Sequence, residues 1–263
     1  MDSAGSPVGY GSHRVADPGD QPRELSGLAW GVFVSFGLLA ILSVVKIVVA
    51  LKLRSAATGG GDIVGAYHTY SSWAGIFGFA ILLGAGVFIA WFFRAYRNLR
   101  RLGVQNMRYG NGWAIGAWFI PIFGMIRPKQ IANDVWRGSE PGVEVSSGWR
   151  QVDVPSLVHW WWALFLIQST LVYVGDRIAG SGYDDLHSLA TLESGLSQIK
   201  SGTVIAIAGQ LVAIAAVVLA IKVVSQVTER LDGIRHGVLS AAAVDPSAPP
   251  AMVPPTSFPP PGQ

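Results

Sequence analysis

Residues 25–45, LSGLAWGVFVSFGLLAILSVV, place 21 uncharged positions between Glu24 and Lys46. A helix rises about 1.5 Å per residue, so roughly 20 apolar residues cross a hydrocarbon core of about 30 Å. Three more runs meet the same requirement. Asp62 to Arg94 encloses 31 uncharged residues, Asp153 to Asp176 encloses 22, and Lys200 to Lys222 encloses 21. Buried helices of a soluble α-protein carry a polar stripe every three or four residues; these runs carry none. A fifth run, WAIGAWFIPIFGMI (113–126), is 14 residues long with Pro121 near its middle. That length suits a re-entrant or interfacial segment rather than a span. The expectation is an all-α membrane protein: four transmembrane helices over about 27–50, 73–93, 157–175 and 203–224, with a short re-entrant or interfacial helical segment at 113–126, in the cytoplasmic loop between helices 2 and 3.

Basic residues set the orientation. The connection from Arg94 to Ser156 holds nine Lys and Arg, whereas the two connections on the opposite face hold four (Lys52, Arg54, Arg177, Lys200) and are partly acidic. The positive-inside rule then puts the middle connection and both termini in the cytoplasm of a plasma-membrane protein. If residues 113–126 crossed, Arg127, Lys129, Arg137 and Arg150 would move outside and the asymmetry would largely vanish.

Composition narrows the class further. Charged residues make up 13% of the chain against about 25% in soluble domains. There is no cysteine, which excludes disulfides, thiolate metal sites and a cysteine nucleophile. Residues 1–25 are rich in Gly, Ser, Pro and Asp and lack the basic-then-apolar order of a secretory signal, so they are expected to form a disordered tail. The transmembrane domain is expected over 26–235. Residues 236–263 follow as a disordered tail, eight of the fifteen prolines falling after residue 240.

The second span runs into AWFFRAYRNLRRLG, which puts Arg94, Arg97 and Arg101 on one helix face with Asn98 beside them. Trp91, Phe92, Phe93 and Tyr96 form an expected aromatic collar at headgroup level. Arg127 and Arg137 complete the candidate site for an anionic headgroup or an acidic partner. The tryptophans of the middle connection (Trp113, Trp118, Trp136, Trp149) imply a loop laid against the bilayer. WAIGAWFIP, containing Phe119, should insert as a turn broken by Pro121, with Pro128 opening a short helix after it. Within the spans, Gln168 and Gln210 lie at similar depth and can form an interhelical amide pair. Lys46 can snorkel to the outer interface or meet Asp176. Ala74/Gly78 and Gly209/Ala213 are spaced for close helix contact.

WFFRAYRN, GWAIGAWFIPIFGMIRPKQ, VWRGS and HWWWALF together resemble a family of actinobacterial multi-pass membrane proteins catalogued only as a domain of unknown function. The matching positions are Trp91, Arg94 and Asn98; Gly112, Trp113, Gly116, Trp118, Phe119 and Pro121; Pro128; and Trp161 and Trp162. The resemblance covers about residues 26–235. It departs at Gly124, where family members often have Asn. It implies an actinobacterial plasma membrane and a four-helix layout, and carries over no activity.

No phosphate-cradling glycine loop, His-Glu-x-x-His or Gly-x-Ser-x-Gly motif is present, and no two histidines have i, i+4 spacing. The reading is therefore non-enzymatic, without catalytic residues, metal, cofactor or nucleic-acid partner. A basic, aromatic loop engages anionic lipid of the bilayer, or a protein partner or second copy. The alternative is a small-solute transporter or channel subunit using WFIPIFG as its re-entrant element. A lipid-acting enzyme ranks third, for want of a nucleophile with a base.

Overall fold

The computed structural model describes residues 21–244, with side chains through residue 240. Of the tails expected over residues 1–25 and 236–263, residues 1–20 and 245–263 lie outside the described residues. Within them the chain is all-α: α1 (Ser26–Gly59), α2 (Ile63–Arg101), α3 (Trp113–Gly116), α4 (Pro121–Gly138), α5 (Ser156–Asp184) and α6 (Leu192–Val244), with short 3₁₀ turns at Ala117–Phe119, Gly148–Gln151 and Asp185–His187. Four helices, α1, α2, α5 and α6, are long and apolar enough to cross a membrane. At most 28% of any of their apolar windows is buried inside the protein, which leaves Val34, Ile41, Phe79 and Leu82 among many apolar side chains facing outward. That surface needs an apolar solvent.

Local chemistry sets the helix ends. Asp62 accepts a hydrogen bond from Gly65 N at 2.9 Å and so caps the start of α2. Gly103 follows α2 with φ 90, a left-handed position that lets the chain turn away from the helix. At 39 residues α2 is about 58 Å long, and at 53 residues α6 is about 80 Å. Both exceed what a hydrocarbon core of about 30 Å requires. α6 also runs nine residues past the expected domain end at 235.

The described residues divide into two compact units, a helical unit (30–88 and 156–223) and a loop unit (21–29, 89–155 and 224–244). In the helical unit α5 and α6 approach until their backbones touch. A Cβ on Gly175 would lie 2.5 Å from Ala206 N, and one on Gly202 would lie 2.5 Å from Ala179 N. Gly182 and Gly195 are as tight against each other's carbonyl oxygens. Gly209 seats against Val172 as its spacing suggested, whereas Gly78 has open space around it. Lys46 is buried rather than snorkelling. Its Nζ lies 2.7 Å from Asp176 Oδ2, and the hydroxyl of Tyr70 donates to the other carboxylate oxygen. The rings of Tyr70 and Phe77 face the ammonium at 5.7 and 5.6 Å. One carboxylate thus ties α1, α2 and α5 together.

The loop unit has a core of its own, built on Trp91, Phe92, Tyr96, Leu99, Ile131, Val135, Trp136, Trp149 and Leu231. This corrects two expectations. Trp91, Phe92 and Tyr96 do not form a collar at headgroup level, because they are packed inside. Trp136 and Trp149 are not laid on a bilayer either; Trp149 is 1% exposed and donates from Nε1 to Gln105 O at 3.0 Å. Residues 22–25, assigned from sequence to the N-terminal tail, are clasped here as well. Asn98 bonds Arg23 in both directions, Nδ2 to O at 2.6 Å and Oδ1 from N at 3.0 Å. Asp232 accepts from Leu25 N and Ser26 N at 3.0 and 3.1 Å, capping α1 from another helix. Arg235 Nε donates to Pro22 O.

Candidate functional site

The middle connection folds differently from the turn expected around its prolines. Pro121 does not break a segment; it opens α4, after Ile120 in extended conformation ends the preceding 3₁₀ turn. The missing N–H of proline costs nothing at that position. Pro128, expected to open a helix, lies inside α4 and is buried. There it removes one intrahelical bond, the one to the carbonyl of Gly124.

The start of α4 divides into two faces. Ile122, Met125 and Ile126 point outward together with Phe119 and Ile120 just before the helix; Phe119 is 73% and Ile122 74% exposed. On the other face Phe123, Arg127, Gln130 and Asp134 recur at i, i+4, i+7 and i+11, a helical stripe. The segment after α2 folds over this stripe. The Arg127 guanidinium lies 3.6 Å from the centroid of the Trp113 ring, 4.0 Å from Phe123 and 5.4 Å from Tyr109. Stacking of this kind is worth about 0.5–2 kcal/mol per ring and suits the flat guanidinium better than an ammonium. The Tyr109 hydroxyl donates to Gln130 Oε1, while its backbone exchanges hydrogen bonds with the buried Tyr96 hydroxyl and accepts one from Arg100 at 2.8 Å. The cage wall is thereby fixed from α2 and α4.

What sets Arg127 apart is what it lacks. Its Nη1 is enclosed without a hydrogen-bond partner, and among the described residues no carboxylate lies within 4.0 Å of it. The other sequence-selected residues are held in other ways. Arg94 donates to Glu24 O at 3.3 Å, and Arg137 donates to Val152 O at 2.8 Å. Asn98 is the buried clasp on Arg23. Arg97 is half-buried on α2 and Arg101 half-buried at its last turn. Of the candidate motif residues, Trp113 joins the cage, Phe119 and Pro121 stand on the exposed turn, and Trp118 is half-buried with its ring against Phe92. The amide pair does not form. Gln168 donates to its neighbour Ser169 at 2.8 Å, and Gln210 is enclosed with both amide atoms unpaired.

Two titratable groups report the local charge balance. Burial, with Arg137 adding to it, pushes Lys129 down to about 8. Burial pushes the Asp134 carboxyl up to about 6, against the pull of Arg108, Arg137 and Arg150. Asp134 is 1% exposed; its Oδ2 has no hydrogen bond and lies 4.0 Å from Arg108 Nε. Its folded value lies above its unfolded one, so the charge destabilises the fold. That loss is absent well below pH 4 and grows as pH rises through about 6. Gln130 and Asp134 were missed from sequence, while Arg100, Arg108 and Tyr109 were counted in the loop without a place in the site. The stripe 123/127/130/134 could have signalled Gln130 and Asp134, and it is visible only once α4 is known to start at Pro121. A recess of about 370 Å³ is lined by Arg100 and residues 103–107. Among the described residues no group of three or more His, Cys, Asp or Glu is placed to hold a metal ion.

A family model, the domain of unknown function DUF4328, matches residues 54–229. The chain belongs to this family. The DUF4328 match contains Arg94, Asn98, the cage and both prolines of α4. No curated protein and no solved structure matches the chain.

Proposed function

We propose that this DUF4328 protein is a non-enzymatic, membrane-embedded binding protein that holds an anionic lipid headgroup on its loop unit at the cytoplasmic face of the plasma membrane. The observation that carries this reading is Arg127. Its guanidinium is fixed between Trp113 and Phe123 with no carboxylate partner, and it sits on a helix whose adjacent face exposes Phe119, Ile122, Met125 and Ile126. A helix with an apolar face and basic residues beside it lies in the membrane interface, where a lipid phosphate is the natural counter-charge and arginine its bidentate partner. The apolar face favours lipid over an acidic protein partner.

The full chain, purified in mild detergent from native membranes, should retain phosphodiester lipid visible by native mass spectrometry. Arg127→Gln should reduce that retention about fivefold, the worth of one basic residue at an anionic surface. Arg94→Ala, which loses only a bond to a backbone carbonyl, should not. Equal retention by Arg127→Gln and wild type overturns the proposal. The transporter reading rests on Gln210, an enclosed unpaired amide. It is weakened because Gln168 turns to Ser169 instead of meeting it.

A further inference from the structure

The enclosed carboxylate of Asp134 has no place in headgroup binding as described, yet it stands on the same stripe of α4 as Arg127, two turns further along. A buried carboxylate oxygen without a hydrogen bond calls for an explanation. Three arginines favour its charge. Arg108, on the segment after α2, stands 4.0 Å away; Arg137 of its own helix and Arg150 before α5 act on it from beyond ion-pair distance, and among the described residues the other titratable group coupled to it is the Tyr96 hydroxyl of α2. Arg108 immediately precedes Tyr109, the wall residue that touches both Arg127 and Gln130.

We infer that Asp134 is a proton-controlled regulator of anion affinity on this face: charged, it draws Arg108 inward and cancels one positive charge; protonated, it frees Arg108 for the headgroup. This inference rests on the lipid-binding reading above. Arg108 is free to answer, because its side chain is 46% exposed while that of Asp134 is 2% exposed. The carboxyl titrates near 6, so mild acidification of the cytoplasmic side is the signal. The sign follows from charge alone: protonation removes an anion from a basic surface, so anionic lipid binds more tightly as pH falls.

Titration of the full chain in detergent with a short-chain phosphatidylglycerol tests this, since its phosphodiester keeps one charge across the range. Wild type should bind about fivefold more tightly at about pH 5 than at about pH 8, the worth of one surface charge. Asp134→Asn should bind at pH 8 as wild type does at pH 5 and should show no pH dependence. Arg108→Gln, a half-exposed change that spares the core, should also flatten the profile, at the weaker level. A wild-type affinity that does not change with pH overturns the inference, as does an Asp134→Asn variant that keeps the wild-type slope. Should Asp134→Asn fail to fold, a retained slope in Arg108→Gln overturns it equally. Arg127→Gln separates the two readings. If it binds as wild type at both pH values, headgroup binding itself fails. If it loses binding while the wild-type profile stays flat, only the regulator fails.

Discussion

The helical unit and the loop unit differ in how they treat enclosed charge. In the helical unit the buried ammonium of Lys46 has a carboxylate at 2.7 Å, that carboxylate also has the Tyr70 hydroxyl, and Arg54 donates to Lys200 O. The buried Lys46 charge is neutralised on the spot, and α5 and α6 are held by backbone approach at glycine. In the loop unit Arg230 pairs with Glu140 at 2.6 Å, but other arginines lie on carbonyls and ring faces, the enclosed carboxylate of Asp134 is 4.0 Å from Arg108 Nε, and among the described residues no carboxylate lies within 4.0 Å of Arg127. Charges in a low-dielectric interior must be paired or they become functional sites. The first unit follows the rule at Lys46, whereas the second leaves it open at Arg127 and Asp134, which is where the proposed headgroup site lies.

The sharpest way to break the contrast is through the glycines. Gly202→Val would drive a side chain into the backbone of Ala179, where even a Cβ meets N at 2.5 Å. Separation of α5 from α6 should lower stability by about 3 kcal/mol or more, seen as loss of monodisperse protein in detergent. Gly78→Ala, with open space around it, should be silent by the same measurement. A tolerated Gly202→Val would mean that the helical unit is not built on backbone contact.

The next largest effect tests the charge pair. Lys46→Met leaves Asp176 without its cation but with Tyr70 and partial exposure, its side chain being 31% accessible. A loss of roughly 2 kcal/mol is expected, below the 3–5 kcal/mol of fully buried pairs. Lys46→Met combined with Asp176→Asn should recover most of it, because the two sites share one interaction. Thermal denaturation of the four proteins gives the cycle. If the double variant is as unstable as the sum of the singles, the pair is not the coupling described.

Much of the helical unit was legible because hydrocarbon imposes a coarse requirement. Twenty-odd residues without charge can be counted, and the runs opened by Glu24, Asp62, Asp153 and Lys200 are the four long helices. The loop unit was harder, because the same residue types serve a buried core and a membrane interface. Trp113 and Trp149 are indistinguishable as letters, yet one cages a guanidinium and the other is sealed in the core on Gln105 O. Pro121 and Pro128 exchanged roles because an N1 proline and an interior proline differ only in where the helix begins. Gly209 was seen as a contact, but Gly175, Gly182 and Gly202 were not. Their spacing pairs across two helices whose register depends on the fold. The basic count along the middle connection did not show how each arginine is held: Arg94 and Arg137 each donate to a backbone carbonyl, whereas Arg127 lies against aromatic rings.

The smallest effect probes whether the clasp belongs to the loop unit or merely rests on it. Asn98→Leu removes two hydrogen bonds to Arg23, of which one partner group is only partly buried. Each bond contributes about 0.5–1.5 kcal/mol, and Asp232 still caps α1 through Leu25 and Ser26. The expected outcome is a modest loss of about 1–2 kcal/mol, with faster hydrogen exchange at Arg23 and Leu25 while exchange in the α5–α6 contact is unchanged. Lipid retention should also hold, because the clasp touches neither Trp113 nor Arg127. A variant that loses lipid together with the clasp would show that Asn98 acts on the headgroup face, and would return the binding site to the end of α2. Retention with a loosened clasp would confine Asn98 to fastening the chain before the first long helix.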